Sequence, residues 1–124
     1  MWFISATVHS IIQKDDPVNK GKTIYSYKLY IRRNDDCVWY KECSFEEIEK
    51  FRNNLIKYFP NVKNIPFPSK SILSYIPFLN KIYGDENNDI LIEKKYVLDN
   101  FFAEICEYNQ SYKVEQFNNF FSEN

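Results

Sequence analysis

The chain has 124 residues, 44% of them hydrophobic and 19% aromatic, a load that supports one packed core and excludes a disordered chain. Lys and Arg number 16 and Asp and Glu 17, for a formal net charge of −1. That balance lacks the basic excess of a nucleic-acid binder, so no nucleic-acid partner is expected.

In chain order, the first third reads as strands. Trp2, Ile4, Ala6 and Val8 alternate with Phe3, Ser5, Thr7 and His9, the period of a half-buried strand. Residues 13–22, "QKDDPVNKGK", read as a charged loop holding Pro17 and Gly21. A second strand follows in "TIYSYKLYIRR", with Tyr25, Tyr27, Leu29 and Ile31 on one face. Asn34-Asp35-Asp36 is a turn signal, and "CVWYKEC" reads as the returning strand.

The period then changes. Ser44 and Glu47 form a capping-box signature. Phe45, Ile48, Phe51, Leu55 and Phe59 recur at helical spacing until Pro60 ends the run. Residues 64–84, "NIPFPSKSILSYIPFLNKIYG", are too interrupted by Pro66, Pro68 and Pro77 for one regular element. They are also too apolar for an ordinary solvent loop. A second helix is expected from about Asp89 to Cys106, with Leu91, Leu98, Phe101, Phe102 and Ile105 as its stripe. Ser111 is expected to cap a short last helix bearing Val114, Phe117 and Phe121. Strands followed by helices make an α+β domain, expected to span 1–124 as a single unit of a kind also found within longer chains.

Catalytic constellations are not found. His9 is the only histidine, Gly21 and Gly84 are the only glycines, and no carboxylate accompanies a nucleophile motif. Cys37, Cys43 and Cys106 show no metal-ligand spacing, so reduced thiols without a metal are expected. No cofactor and no enzymatic activity are expected. The opening "MWFISATVHSII" lacks a basic n-region, and no apolar stretch is long enough for a bilayer. The expectation is a cytoplasmic protein whose membrane contact is peripheral.

Two lysines resist a bland reading. Lys94 lies about 40° from Leu98 and about 20° from Phe101 and Ile105 on a helical wheel, inside the apolar stripe. A lysine so placed snorkels, finds a carboxylate or meets a ligand anion. Lys95 lies about 60° from Leu98, nearer the stripe's edge. Lys70 follows Pro66-Phe67-Pro68, whose fixed φ angles hold an extended mount at low entropic cost.

This order of features resembles the PX (phox homology) domain along nearly the whole chain. "VWYKECSFEEI", residues 38–48, lines up with that family's third strand and helix start, with Phe45 and Ile48 in its phenylalanine and leucine slots. "IPFPSK", residues 65–70, matches the family's proline connector, and Lys94 with Leu98 matches the basic residue four positions before a leucine. The resemblance implies a three-stranded antiparallel sheet followed by a helical part with a proline-rich connector. It implies binding of a phosphoinositide headgroup, most often phosphatidylinositol 3-phosphate, on endosome-like membranes, in a trafficking or adaptor protein. On it, Lys41 meets the 3-phosphate, Lys70 the 1-phosphate and Lys94 the inositol hydroxyls. Tyr40, Glu42 and Lys95 are accessory pocket positions. Tyr75, Ile76, Phe78, Leu79 and Tyr83 form the membrane-insertion segment. Tyr40 stands where the family has arginine, and Glu42 where an aromatic packs on the inositol ring. Those departures leave an alternative open: a protein-interaction module on the same fold with a degraded lipid pocket.

Overall fold

The structure, a computed structural model, describes residues 4–68, 88–107 and 115–122. Three strands, β1 (Ile4–Asp15), β2 (Thr23–Arg33) and β3 (Val38–Ser44), form an antiparallel sheet in the order β1-β2-β3. The helices α1 (Phe45–Tyr58), α2 (Asn88–Glu107) and α3 (Glu115–Phe120) follow, with a 3₁₀ turn over Pro60–Asn64 after α1. The expected three-stranded α+β plan is what the chain adopts.

Strand β1 runs further than its alternation suggested. Pairing continues from Ile4↔Arg33 to Asp15↔Thr23, so backbone hydrogen bonds carry the strand through the charged residues Gln13 to Asp15. A bulge between Val8 and Ser10 interrupts the register. The extra residue, His9, shifts the inward parity: Ile4, Ala6 and Val8 face the core before it, and Ile11 packs against the core after it. The connecting turn shrinks to the residues between Asp15 and Thr23. There the Asp16 carboxylate accepts from the Val18 N–H at 2.9 Å and the Asn19 amide at 3.1 Å. These bonds hold its pKa below the ordinary value, the Val18 backbone N–H contributing most. Gly21 sits at φ 85°, a conformation that suits glycine.

The inner face of the sheet buries Tyr27, Leu29, Ile31 and Cys43. Helix α1 begins as its capping box predicts: the Ser44 hydroxyl accepts from the Glu47 N–H at 3.1 Å. Its buried face, Ile48, Phe51 and Leu55, meets Phe101, Phe102 and Ile105 of α2 and Phe117 and Phe121 in the common core.

Helix α2 packs along β1, one of the two outer strands of the sheet. An outer strand leaves unpaired backbone groups. Asp99 meets one of them: its carboxylate accepts from the Val8 N–H at 2.5 Å. The Cys106 thiol takes a backbone hydrogen bond at Ala6. One helix thus meets the free side of β1 at Ala6 and Val8 while burying its own apolar stripe.

Candidate functional site

Alternation along β3 divides its residues between two faces. Trp39, Lys41 and Cys43 point toward the helices, whereas Tyr40 and Glu42 point away. On the helix side, the Trp39 indole donates to the Phe121 carbonyl at 3.0 Å. The Lys41 ammonium donates to the neighbouring Phe120 carbonyl and lies 4.7 Å from the centre of the Phe120 ring. The Phe120 ring in turn stacks on Phe51 at 4.0 Å, with an interplanar angle of 4°. Lys41 is therefore held against the carbonyl end of α3. A cleft of about 360 Å³ opens beside it, lined by Lys50, Phe51, Asn54 and Phe120 among others.

Lys94 is held elsewhere. It is buried, with 8% of its surface exposed, and its ammonium lies 5.4 Å from the centre of the Phe45 ring. Phe45 is the first residue of α1, and its ring lies 5.5 Å from that of Phe67. Phe67 belongs to the proline connector and meets Phe101 edge-on at 5.0 Å. The connector's first part is thus packed down by its phenylalanine, and Pro68 is buried beside it.

Arg52 joins this cluster and was not singled out by sequence reasoning. Its guanidinium carbon lies 4.9 Å from the centre of the Phe67 ring. Its Nε is enclosed and has no hydrogen-bond partner. The two cations Lys94 and Arg52 therefore rest on two adjoining rings, Phe45 and Phe67. The signal was available: Arg52 follows Phe45 by seven residues, about 20° away on the wheel, at the edge of the apolar face of α1.

The accessory positions lie apart from Lys41. Tyr40, on the outer sheet face, meets His9 and Tyr30 edge-on at 5.3 and 5.4 Å, and the Lys28 ammonium covers its ring at 4.6 Å. Glu42, on the same face, pairs with the Lys14 ammonium at 2.5 Å and accepts from the Ser26 hydroxyl at 2.6 Å. The Lys14 bond, followed by that of Ser26, holds its carboxyl below the ordinary pKa. Lys95 reaches Asp99 at 3.9 Å. Lys70 and the insertion residues Tyr75, Ile76, Phe78, Leu79 and Tyr83 lie outside the described residues.

A larger cleft, about 510 Å³, opens between the β1–β2 hairpin, the end of β3 and the first turn of α1. Glu42, Glu46 and Glu47 line it against the single ammonium of Lys14, and neither Lys41 nor Lys94 reaches it. Its charge is wrong for a phosphate, despite its size. Lys94 and Arg52 lie instead at the α1–α2–connector junction, and Lys41 at the carbonyl end of α3. Among the described residues no helix is long and apolar enough to cross a membrane.

A family model for the PX domain matches residues 34–124, from the β2–β3 turn through α3. No curated relative matches the chain. PX domains are generally non-catalytic lipid-binding modules, and membership implies phosphoinositide binding and peripheral membrane targeting. The matched span covers more than half of the chain and the sheet is completed by β1 and β2 ahead of it, so the chain belongs to the PX domain family.

Proposed function

We propose that this domain binds phosphatidylinositol 3-phosphate and so brings the protein that carries it, a trafficking or adaptor protein, to endosome-like membranes from the cytoplasm. In this reading Lys41 meets the 3-phosphate, Lys70 the 1-phosphate and Lys94 the inositol hydroxyls. The aromatic and aliphatic side chains of Tyr75, Ile76, Phe78, Leu79 and Tyr83 enter the interface beside the headgroup, where amphipathic rings are favoured.

The observation that carries the reading is the burial of Lys94 beside Phe45. Enclosing a cation is costly, and the cost is offset where it meets π-density and an anionic or hydroxyl-bearing ligand. Lys94→Met keeps the side-chain volume and removes the charge. The variant is expected to fold and to lose about tenfold or more in affinity for soluble short-chain phosphatidylinositol 3-phosphate, as loss of a charged hydrogen bond predicts. Calorimetric titration measures this. Equal affinity for variant and wild type would remove Lys94 from the site.

One observation favours a second reading, the interaction module with a degraded lipid pocket: the Lys41 ammonium already has an acceptor in the Phe120 carbonyl. Vesicle flotation separates the two. Flotation that requires the phosphoinositide and is abolished by Lys41→Glu rejects the module reading, and flotation indifferent to the phosphoinositide supports it.

A further inference from the structure

The carbonyl end of α3 sits against the ammonium of Lys41, the group proposed to meet a phosphate. Two donors on one strand, Trp39 and Lys41, are two residues apart and share the helix-facing side of β3. They hold two consecutive carbonyls, Phe121 at 3.0 Å from the indole nitrogen and Phe120 at the ammonium. The last carbonyls of a helix lack intrahelical donors and carry partial negative charge. They are therefore weak, neutral mimics of the oxyanion that a lysine in this position is expected to bind.

An ammonium has three donors in a compact head. Here one donor is taken by the Phe120 carbonyl, and the Phe120 ring lies against the same head at 4.7 Å. A phosphate oxygen that approaches Lys41 meets the carbonyl oxygen as a like partial charge and the ring as a steric wall. Full engagement of Lys41 requires the two to part. The charged phosphate is the stronger acceptor, since charge-assisted hydrogen bonds exceed neutral ones.

We propose that the carbonyl end of α3 is a latch over Lys41, so that headgroup binding and latch closure compete for one ammonium. This rests on the reading that Lys41 meets a phosphate. Lys41 belongs to both states. Trp39 belongs to the closed state alone: its indole holds Phe121 and has no part in the proposed headgroup contacts. Removing the indole donor therefore weakens the latch and spares the ligand's own contact.

The test compares wild type, Trp39→Phe and Lys41→Met by titration with soluble short-chain phosphatidylinositol 3-phosphate, with inorganic phosphate as a parallel arm. Amide exchange is followed at Phe121 and Ser122, whose N–H groups bond the Phe117 and Asn119 carbonyls at 3.3 Å. The latch predicts that the lipid headgroup speeds exchange at these two amides in the wild type. It also predicts that Trp39→Phe binds several-fold tighter and Lys41→Met weaker. Opening by inorganic phosphate alone would make the latch respond to free phosphate rather than to the inositol headgroup, and would overturn its role in lipid binding. If Lys41→Met weakens binding while exchange and the Trp39→Phe affinity stay unchanged, the latch is overturned and the headgroup reading stands. If the wild type and Trp39→Phe both fail to bind, or Lys41→Met binds as the wild type does, the assignment of Lys41 falls and the latch falls with it. Should Trp39→Phe fail to fold, Phe120→Leu, which removes the ring over Lys41, carries the same expected gain.

Discussion

The three cysteines, expected from the sequence to be reduced thiols, have distinct surroundings. Cys37 is exposed, while Cys43 and Cys106 are buried. Desolvation by burial pushes both buried thiols up to about 12, from an ordinary value of 9.0. Between those values the unfolded chain has released protons that the folded chain keeps. The unfolded state then binds fewer protons, so stability falls as pH rises. The loss begins near pH 9 and reaches at most about 1.4 kcal/mol per pH unit for each thiol. Urea unfolding between pH 8 and 10.5 is expected to show this decline, and Cys106→Ser at the same pH to flatten part of it. With a thiol-reactive dye at neutral pH, Cys37 is expected to label at once and the other two only on unfolding. Prompt labelling at Cys43 would contradict its burial. Lys94 was legible at this scale for a simple reason: its angle on the helical wheel is a local quantity. Arg52 gave the same kind of signal, at the rim of the stripe rather than inside it, where an arginine is read as an ordinary solvent-facing residue.

At the scale of elements, period and capping were legible and partners were not. The capping box at Ser44, the end of α1 near Pro60 and the stripe of α2 are properties of neighbouring residues. The extension of β1 to Asp15 is not, because it depends on pairing with Thr23 and Ile24 across the sheet. The acceptor of Lys41 lies 79 residues away, a separation that strand alternation cannot span: alternation shows that Trp39 and Lys41 share a face, but not that a helix end lies over them. Asp99 is a second long-range case, with its partner Val8 91 residues distant. Its carboxylate holds the free side of β1 and pairs with Lys95 at 3.9 Å. Asp99→Ala leaves a backbone N–H without an acceptor at a partly buried edge, which costs about 2 kcal/mol. Chemical denaturation is expected to show the midpoint lowered with an unchanged slope, since the surface exposed on unfolding is the same. Asp99→Asn, which keeps an acceptor oxygen but loses the charge, is expected to recover part of the loss. If both variants match the wild type, the Asp99 bond contributes nothing to stability and α2 is held on the sheet by its other contacts.

For the whole molecule, the charge balance decides what kind of membrane binder this is. A net charge of −1 supplies no long-range attraction to an anionic surface. Several of the described cations are also already paired: Lys14 with Glu42, Arg32 with Asp36, Arg33 with Asp35 and Lys95 with Asp99. A domain that bound membranes through a diffuse basic patch would adhere to any acidic vesicle, and each cation near the surface would add about 1 kcal/mol. Here the cations resting on aromatic rings at the connector, Lys94 and Arg52, are few and local, so under the proposed function attachment comes from one recognised headgroup and from apolar side chains entering the interface. Vesicles of phosphatidylcholine with phosphatidylserine alone are therefore expected to leave the protein in solution. Vesicles with a small fraction of phosphatidylinositol 3-phosphate are expected to float it. Screening weakens exposed charge pairs far more than enclosed ones, so moderate salt should reduce the second kind of binding only slightly. Equal flotation with the two vesicle types, lost together on adding salt, would mean that a general surface field holds the domain, and Lys94 would have no part in it.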